Sequence, residues 1–129
     1  MRVLLDTHTL IWLILDDDRL SPRAKEAYQT ADDVAWSVVS LWETAIKLSL
    51  GRKDFQLKSD WMETIVSEMR QSGAKQVGVT AEHCKILATL PWRHRDPFDR
   101  MLIAQAMHED LAVITADGVF AAYEIPVVW

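Results

Sequence analysis

Cysteine, glycine and proline are all scarce in this chain. A single cysteine, Cys84, excludes an intramolecular disulfide and a cysteine-based zinc site. The four histidines form neither HxxxH nor HExxH, so a histidine-dominated zinc site is not expected either. Four glycines and four prolines in a chain that is half hydrophobic argue against disorder. No apolar run reaches the roughly 20 residues needed to cross a bilayer. Val3 to Leu15 comes nearest, but Asp6 and His8 break it and Asp16-Asp17-Asp18 follow. It reads as a strand and helix of a cytoplasmic domain rather than a signal peptide. Basic residues are in deficit too: 14 Lys and Arg against 19 Asp and Glu, a net charge of -5. That argues against holding nucleic acid by a global basic field. It leaves open an enzyme that reaches phosphates through metal ions in an acidic pocket.

What is present is an alternation of strand and helix patterns across one domain, residues 1–129. Arg2 to Asp6 is a short apolar run closed by an acid, the pattern of a buried parallel strand, and Thr7 to Leu15 continues as a helix. Ser21-Pro22 starts a second helix, as N-cap and first-turn proline, running to about Thr30. Val34 to Ser37 reads as a strand. Ser40 and Glu43 fit the capping box of a helix that stops at Gly51. A charged connector over residues 52–58 leads to a helix capped by Ser59 and ended by Gly73. Gln76 to Val79 is a brief strand, and Thr80 caps a helix through Leu90. Asp96-Pro97 opens a long helix to about Glu109, with Asp96 as N-cap and the proline at the first helical position. Leu111 to Thr115 is a strand, Gly118 to Tyr123 a short helical turn, and Val127 to Trp129 a last strand. The expected architecture is α/β: a parallel sheet of about five strands sandwiched between helices.

Four acids take corresponding places in this pattern. Asp6 ends the first strand, Glu43 begins the helix after the second, Asp99 lies in the first turn of the long helix, and Asp117 follows the fourth strand. In an open parallel sheet the carboxyl ends of the strands share one edge, where ligands bind. Each acid also has an ordinary structural role available: Asp6 and Asp117 as turn residues, Glu43 as partner of Ser40, Asp99 as a complement to the helix dipole. Together on one edge, three or four carboxylates repel each other unless a cation neutralises them. Hard oxygen ligands select Mg²⁺ or Mn²⁺, and such a site does phosphoryl chemistry.

Other residues carry weaker signals. Thr7 and Thr115 flank the acids as contacts for water or phosphate, or as caps. Arg93, Arg95 and Arg100 bracket the acidic helix and are candidates to receive a phosphate backbone. Trp92, in a polar loop, is the candidate for stacking on a base. Trp12, Trp36, Trp42 and Trp61 are expected in the core. His8 and His94 fall near the pocket without ligand spacing, and His83 and Cys84 lie on an amphipathic helix.

Four blocks in order carry a family resemblance: Leu5-Asp6-Thr7-His8; Ser37 to Lys47 (SVVSLWETAIK); His94 to Ala106 (HRDPFDRMLIAQA); and Thr115-Ala116-Asp117. Together they resemble PIN-domain ribonucleases of the VapC toxin type, from residue 3 to Trp129. The resemblance implies a Mg²⁺-dependent endoribonuclease of a type II toxin-antitoxin system, with Asp6, Glu43, Asp99 and Asp117 as metal ligands and Asp96 as a capping acid only. It implies in-line attack of water on phosphorus, a homodimer, and a small DNA-binding antitoxin that blocks the pocket. The connector Arg52-Lys53-Asp54-Phe55 follows the family's glycine-basic pattern only loosely.

Three other functions remain compatible with parts of the sequence. Asp6-Thr7-His8-Thr9 looks like part of an aspartyl-phosphatase signature, DxDxT, with His8 in the place of the second acid. An acidic pocket can also be a docking surface for a basic peptide, and a structure-specific DNA nuclease would use the same four acids.

Overall fold

The computed structural model describes residues 1–52 and 56–129. Five strands, β1 (Arg2–Leu5), β2 (Asp33–Ser37), β3 (Lys75–Val77), β4 (Ala112–Ile114) and β5 (Val127–Val128), form one sheet in the order β3-β2-β1-β4-β5. Every pairing is parallel: Leu4 lies opposite Ala35 on one side and Val113 on the other. β1 is therefore the centre. The chain builds outward from it through β2 and β3, then returns to its other side for β4 and β5, leaving the switch of direction between β1 and β4.

Alternation along β1 divides the core, because successive side chains leave a strand on opposite faces. Leu4 packs with Val39, Leu102, Ile103, Val113 and Phe120 on one face. Val3 and Leu5 pack with Leu10, Trp36, Ile65 and Ile114 on the other. Helices cover both faces: α1 (Thr7–Leu15), α2 (Pro22–Thr30), α3 (Val38–Ser49), α4 (Trp61–Gln71), α5 (Ala81–Thr89) and α6 (Pro97–Glu109). A 3-10 helix over Gly118–Tyr123 precedes β5. The expected five-stranded parallel sandwich is the fold observed.

The helix starts follow their caps, with two corrections. Ser21 accepts from Ala24 N–H ahead of Pro22, and Thr80 accepts from His83 N–H, as the sequence suggests. The Ser40–Glu43 capping box does not exist, however. β2 turns into α3 without a loop, so Ser37, its last residue, already caps the helix by accepting from Val39 N–H. Ser40 lies inside the first turns, and Glu43 is drawn to tertiary partners. Ser59 does not cap α4 either; Asp60 precedes Trp61 and makes no side-chain cap bond. The third strand begins one residue early and ends at Val77. Part of the charged connector, residues 53–55, lies outside the described residues.

Helix α6 has seven consecutive buried residues, Arg100 to Ala106. A helix buried on all sides belongs to the interior, and this one carries Asp99 at its mouth. Among the described residues no helix is long and apolar enough to cross a membrane.

Candidate functional site

Asp6 sits where β1 becomes α1. Its Oδ1 accepts from Thr9 N–H at 2.8 Å, capping the helix, and its Oδ2 accepts from the Thr115 hydroxyl at 2.6 Å. That second bond crosses the switch between β1 and β4. Burial pushes the Asp6 carboxyl above its ordinary range, against the opposing pull of the Thr115 and Thr9 bonds. Thr115 in turn accepts from Asp117 N–H at 2.9 Å, fixing the backbone that carries the next acid.

Glu43, on α3, is fully buried for so polar a side chain. The Thr7 hydroxyl donates to its Oε1 at 2.7 Å and itself lies 3.0 Å from the Ser40 hydroxyl. The Lys47 ammonium, one turn further along, reaches Oε2 at 2.7 Å. Thr7 and Thr115 thus each place their hydroxyl on a carboxylate, of Glu43 and Asp6 respectively.

Asp99 projects from the first turn of α6. Asp96 caps that helix, accepting from Phe98 N–H at 2.8 Å and Asp99 N–H at 3.0 Å, which leaves Asp99 free of the cap. The Asp99 carboxyl is pushed up to about 7, first by burial and then by the negative charges of Asp96 and Glu43. Its neighbour His94 opposes the shift, with Nε2 at 2.9 Å from Oδ2. Asp117 is exposed, and caps the 3-10 helix by accepting from Val119 N–H at 3.0 Å.

One donor atom each from His94, Asp99 and Asp117 lies within 4.8 Å of the other two. Asp6 and Glu43 line the site more deeply: Asp6 bonds Thr115, which holds Asp117, and the charge of Glu43 is felt at Asp99. The sequence pattern points to all four acids and puts His94 near them, but without ligand spacing. Its loop has no periodicity; the usable signal is its place five residues before Asp99, at the helix mouth. The donor set fits a divalent cation. Buried carboxylates whose charge is disfavoured, with one ammonium on Glu43, are short of positive charge.

The other expected contacts separate. Arg93 and Arg95 are exposed on the loop before α6, and Trp92 is 78% exposed. Arg100 must be corrected: it is 3% exposed and does not offer its guanidinium to a substrate. It donates to the carbonyls of Pro91 (2.8 Å) and Leu90 (3.1 Å) and to the Tyr123 hydroxyl (3.1 Å). Its guanidinium carbon also stands 3.8 Å from the Trp92 ring centre. It is a brace holding the loop to the domain. Trp42 is corrected as well. Next to Glu43 on α3, it points outward, 57% exposed, and meets Phe98 edge-on at 4.9 Å instead of joining the core. Trp36 is buried as expected. His8, where the phosphatase signature needs an acid, stacks against Trp12 at 5.5 Å. His83 is buried, its Nδ1 accepting from Thr80 N–H and its Nε2 bonding Glu109 at 3.1 Å.

Comparison with known proteins bears on the family and the fold. The family model for the PIN domain matches residues 3–126. A protein named Ribonuclease VapC22, from Mycobacterium tuberculosis, is 27% identical over 126 residues, covering 96% of this chain and 93% of that protein. Among solved structures, VapBC2 from Rickettsia felis, bound to a promoter DNA fragment, superposes with a TM-score of 0.71 at 15% identity, covering 98% of this chain and 97% of that one. VapBC-1 from nontypeable Haemophilus influenzae gives 0.69 at 15% identity, covering 98% and 96%. The resemblance to VapC-type proteins drawn from the four sequence blocks is therefore borne out, and the chain belongs to the PIN domain family.

Proposed function

We propose that this chain is a metal-dependent endoribonuclease of the VapC type, the toxin of a type II toxin-antitoxin pair acting in the cytoplasm. The observation that carries this is the meeting of donor atoms from His94, Asp99 and Asp117 within 4.8 Å of one another, with Asp6 tied to Asp117 through Thr115 and the charge of Glu43 felt at Asp99. Support for the substrate and partner comes from relatives. The mycobacterial protein is named a ribonuclease, and the solved neighbours are VapBC assemblies.

In this reading Asp6, Glu43, Asp99 and Asp117 hold Mg²⁺ or Mn²⁺, which when bound supplies Lewis acidity and lowers the pKa of a coordinated water. The protein does the rest. Thr7 and Thr115 fix the orientation of Glu43 and Asp6 through hydrogen bonds of 2.7 and 2.6 Å. Arg93 and Arg95 receive the RNA backbone outside the acidic mouth, and Trp92 stacks on a base, its ring backed by Arg100. Water attacks phosphorus in line, leaving a 5′-phosphate and a 3′-hydroxyl. The working form is a homodimer, and the antitoxin covers the pocket until it is removed.

The test is cleavage of a mixed RNA pool by the protein with Mg²⁺, by the same protein with chelator, and by Asp99→Asn. Cleavage in the first reaction alone is expected. Equal cleavage by Asp99→Asn, or cleavage that survives chelation, would overturn the assignment.

A further inference from the structure

Among the described residues, two groups of histidine and acid have donor atoms close enough to hold an ion, and they differ in one decisive way. His83, His108 and Glu109 meet where α5 packs on α6. There His83 Nδ1 accepts a backbone N–H from Thr80, so Nε2 must carry the proton it shares with Glu109. A ring already accepting at one nitrogen cannot offer the other to a cation without becoming an imidazolate. His94 has no such bar at Nε2, whose partner is the Asp99 carboxylate itself.

The donor atoms around His94 are near enough to close on a single ion. Neighbouring ligands at right angles on an octahedral ion, with bonds of about 2.1 Å, stand about 3.0 Å apart, and opposite ligands about 4.2 Å apart. His94 Nε2 lies 2.9 Å from Asp99 Oδ2, and one donor atom each from His94, Asp99 and Asp117 lies within 4.8 Å of the other two. The backbone is pinned on either side of His94. Arg93 N–H donates to the Tyr123 hydroxyl at 3.1 Å, and Asp96 caps α6. The imidazole is therefore held at the mouth by fixed points, not by chance contact of a loose loop. A neutral nitrogen also adds a ligand without adding to the repulsion among four carboxylates.

We propose that His94 is a nitrogen ligand to the ion held by Asp99 and Asp117, and that it makes the site select Mn²⁺ over Mg²⁺. This rests on the metal-nuclease function proposed above. Mg²⁺ is a hard ion that prefers oxygen, whereas imidazole suits first-row transition ions. With oxygen ligands alone the two ions would compete on more equal terms.

The deciding measurements use the full chain without RNA. Calorimetric titration gives the Mn²⁺ and Mg²⁺ affinities, and pulsed electron paramagnetic resonance of the Mn²⁺-loaded protein detects ¹⁴N bound to the ion. The expected result is ¹⁴N modulation in the wild type, its loss in His94→Ala, and a fall in Mn²⁺ affinity of about tenfold or more with a smaller change for Mg²⁺. His94→Gln, which keeps a polar side chain, serves if the alanine variant does not fold, and should also lose the ¹⁴N signal. Three results would overturn the proposal: no ¹⁴N coupling in the wild type, coupling that survives removal of His94, or equal weakening of both ions. If Mn²⁺ binds through oxygen alone and RNA is still cut, the nuclease function stands and only the role of His94 falls. If neither ion binds, both fall.

Discussion

Replacing Asp99 by Asn should make the metal-free protein more stable while destroying its activity. In the unfolded chain this carboxyl titrates at its ordinary 3.8; in the folded protein it is pushed up to about 7, mainly by burial. The folded state therefore binds the proton more tightly. Stability contributed by the protonated acid is intact below the unfolded value, declines as pH rises from about 4 to about 7, and levels off above that. A difference of about three units corresponds to about 4 kcal/mol as an upper limit. Asp99 retains 19% of its side-chain exposure and is bonded to His94, so solvent screening reduces the penalty to about 1–3 kcal/mol. For a domain of 129 residues that amounts to a rise in Tm of roughly 3–10 °C. The assay is differential scanning calorimetry of both proteins with chelator, near pH 4.5 and near pH 8. The gap should open toward the higher pH, and added Mn²⁺ should close it by stabilising the wild type alone. A gap independent of pH, or an Asn variant less stable than wild type near pH 8, would show that Asp99 is an ordinary helix-start acid.

Arg100→Met should cost about 2–4 kcal/mol in denaturant unfolding, because the carbonyls of Leu90 and Pro91 lose charged donors. Arg93→Ala with Arg95→Ala should instead leave stability unchanged and weaken RNA binding, with a shallower salt dependence; the opposite pattern would return Arg100 to the substrate. Thr115→Val, which removes the 2.6 Å bond to Asp6 and the anchor for Asp117 N–H, should lower metal affinity about 10- to 100-fold by calorimetry. Unchanged affinity would mean that Asp6 needs no orienting partner. Leu102→Ala, in the fully buried face of α6, should destabilise by about 2–5 kcal/mol while the residual folded protein still binds metal.

Much of this architecture is visible in local pattern. The caps at Ser21, Thr80 and Asp96 are short-range hydrogen bonds, so local sequence was enough to place them. Asp6, Glu43 and Asp117 could be brought to one edge because parallel strands leave no other place for their ends, whereas Asp99, on a helix that follows α5 rather than a strand, depends on tertiary topology. The misplacements share a different cause: partners distant in sequence. Ser40-x-x-Glu43 has the form of a capping box, but Thr7 lies 36 residues from Glu43 and competes for its carboxylate. Trp42 adjoins two buried residues on α3, and an apolar residue at that phase does not reveal whether a neighbour covers it. Arg100 carries a charge yet sits in a helix buried all round. Its rescue by Tyr123, 23 residues on, leaves no local trace. The contact of His94 with Asp99 leaves no periodic signal either, since the Tyr123 hydroxyl that steadies its loop comes from beyond β4.

The central position of β1 has a consequence for how the protein comes into being. Of the five strands, the first to leave the ribosome is the middle of the sheet, and one of its flanks waits for β4, the fourth to be made. Asp6 and the Thr115 hydroxyl that orients it are 109 residues apart in sequence. Closing so long a loop is costly in entropy and slows folding. A growing or prematurely ended chain that stops before Thr115 thus lacks the partner for Asp6 and never receives Asp117. It can form β1, β2 and β3, yet it has no assembled acidic mouth. The pocket comes together only after Asp117 has been made, which ties any chemistry performed there to synthesis of every segment from β1 through β4.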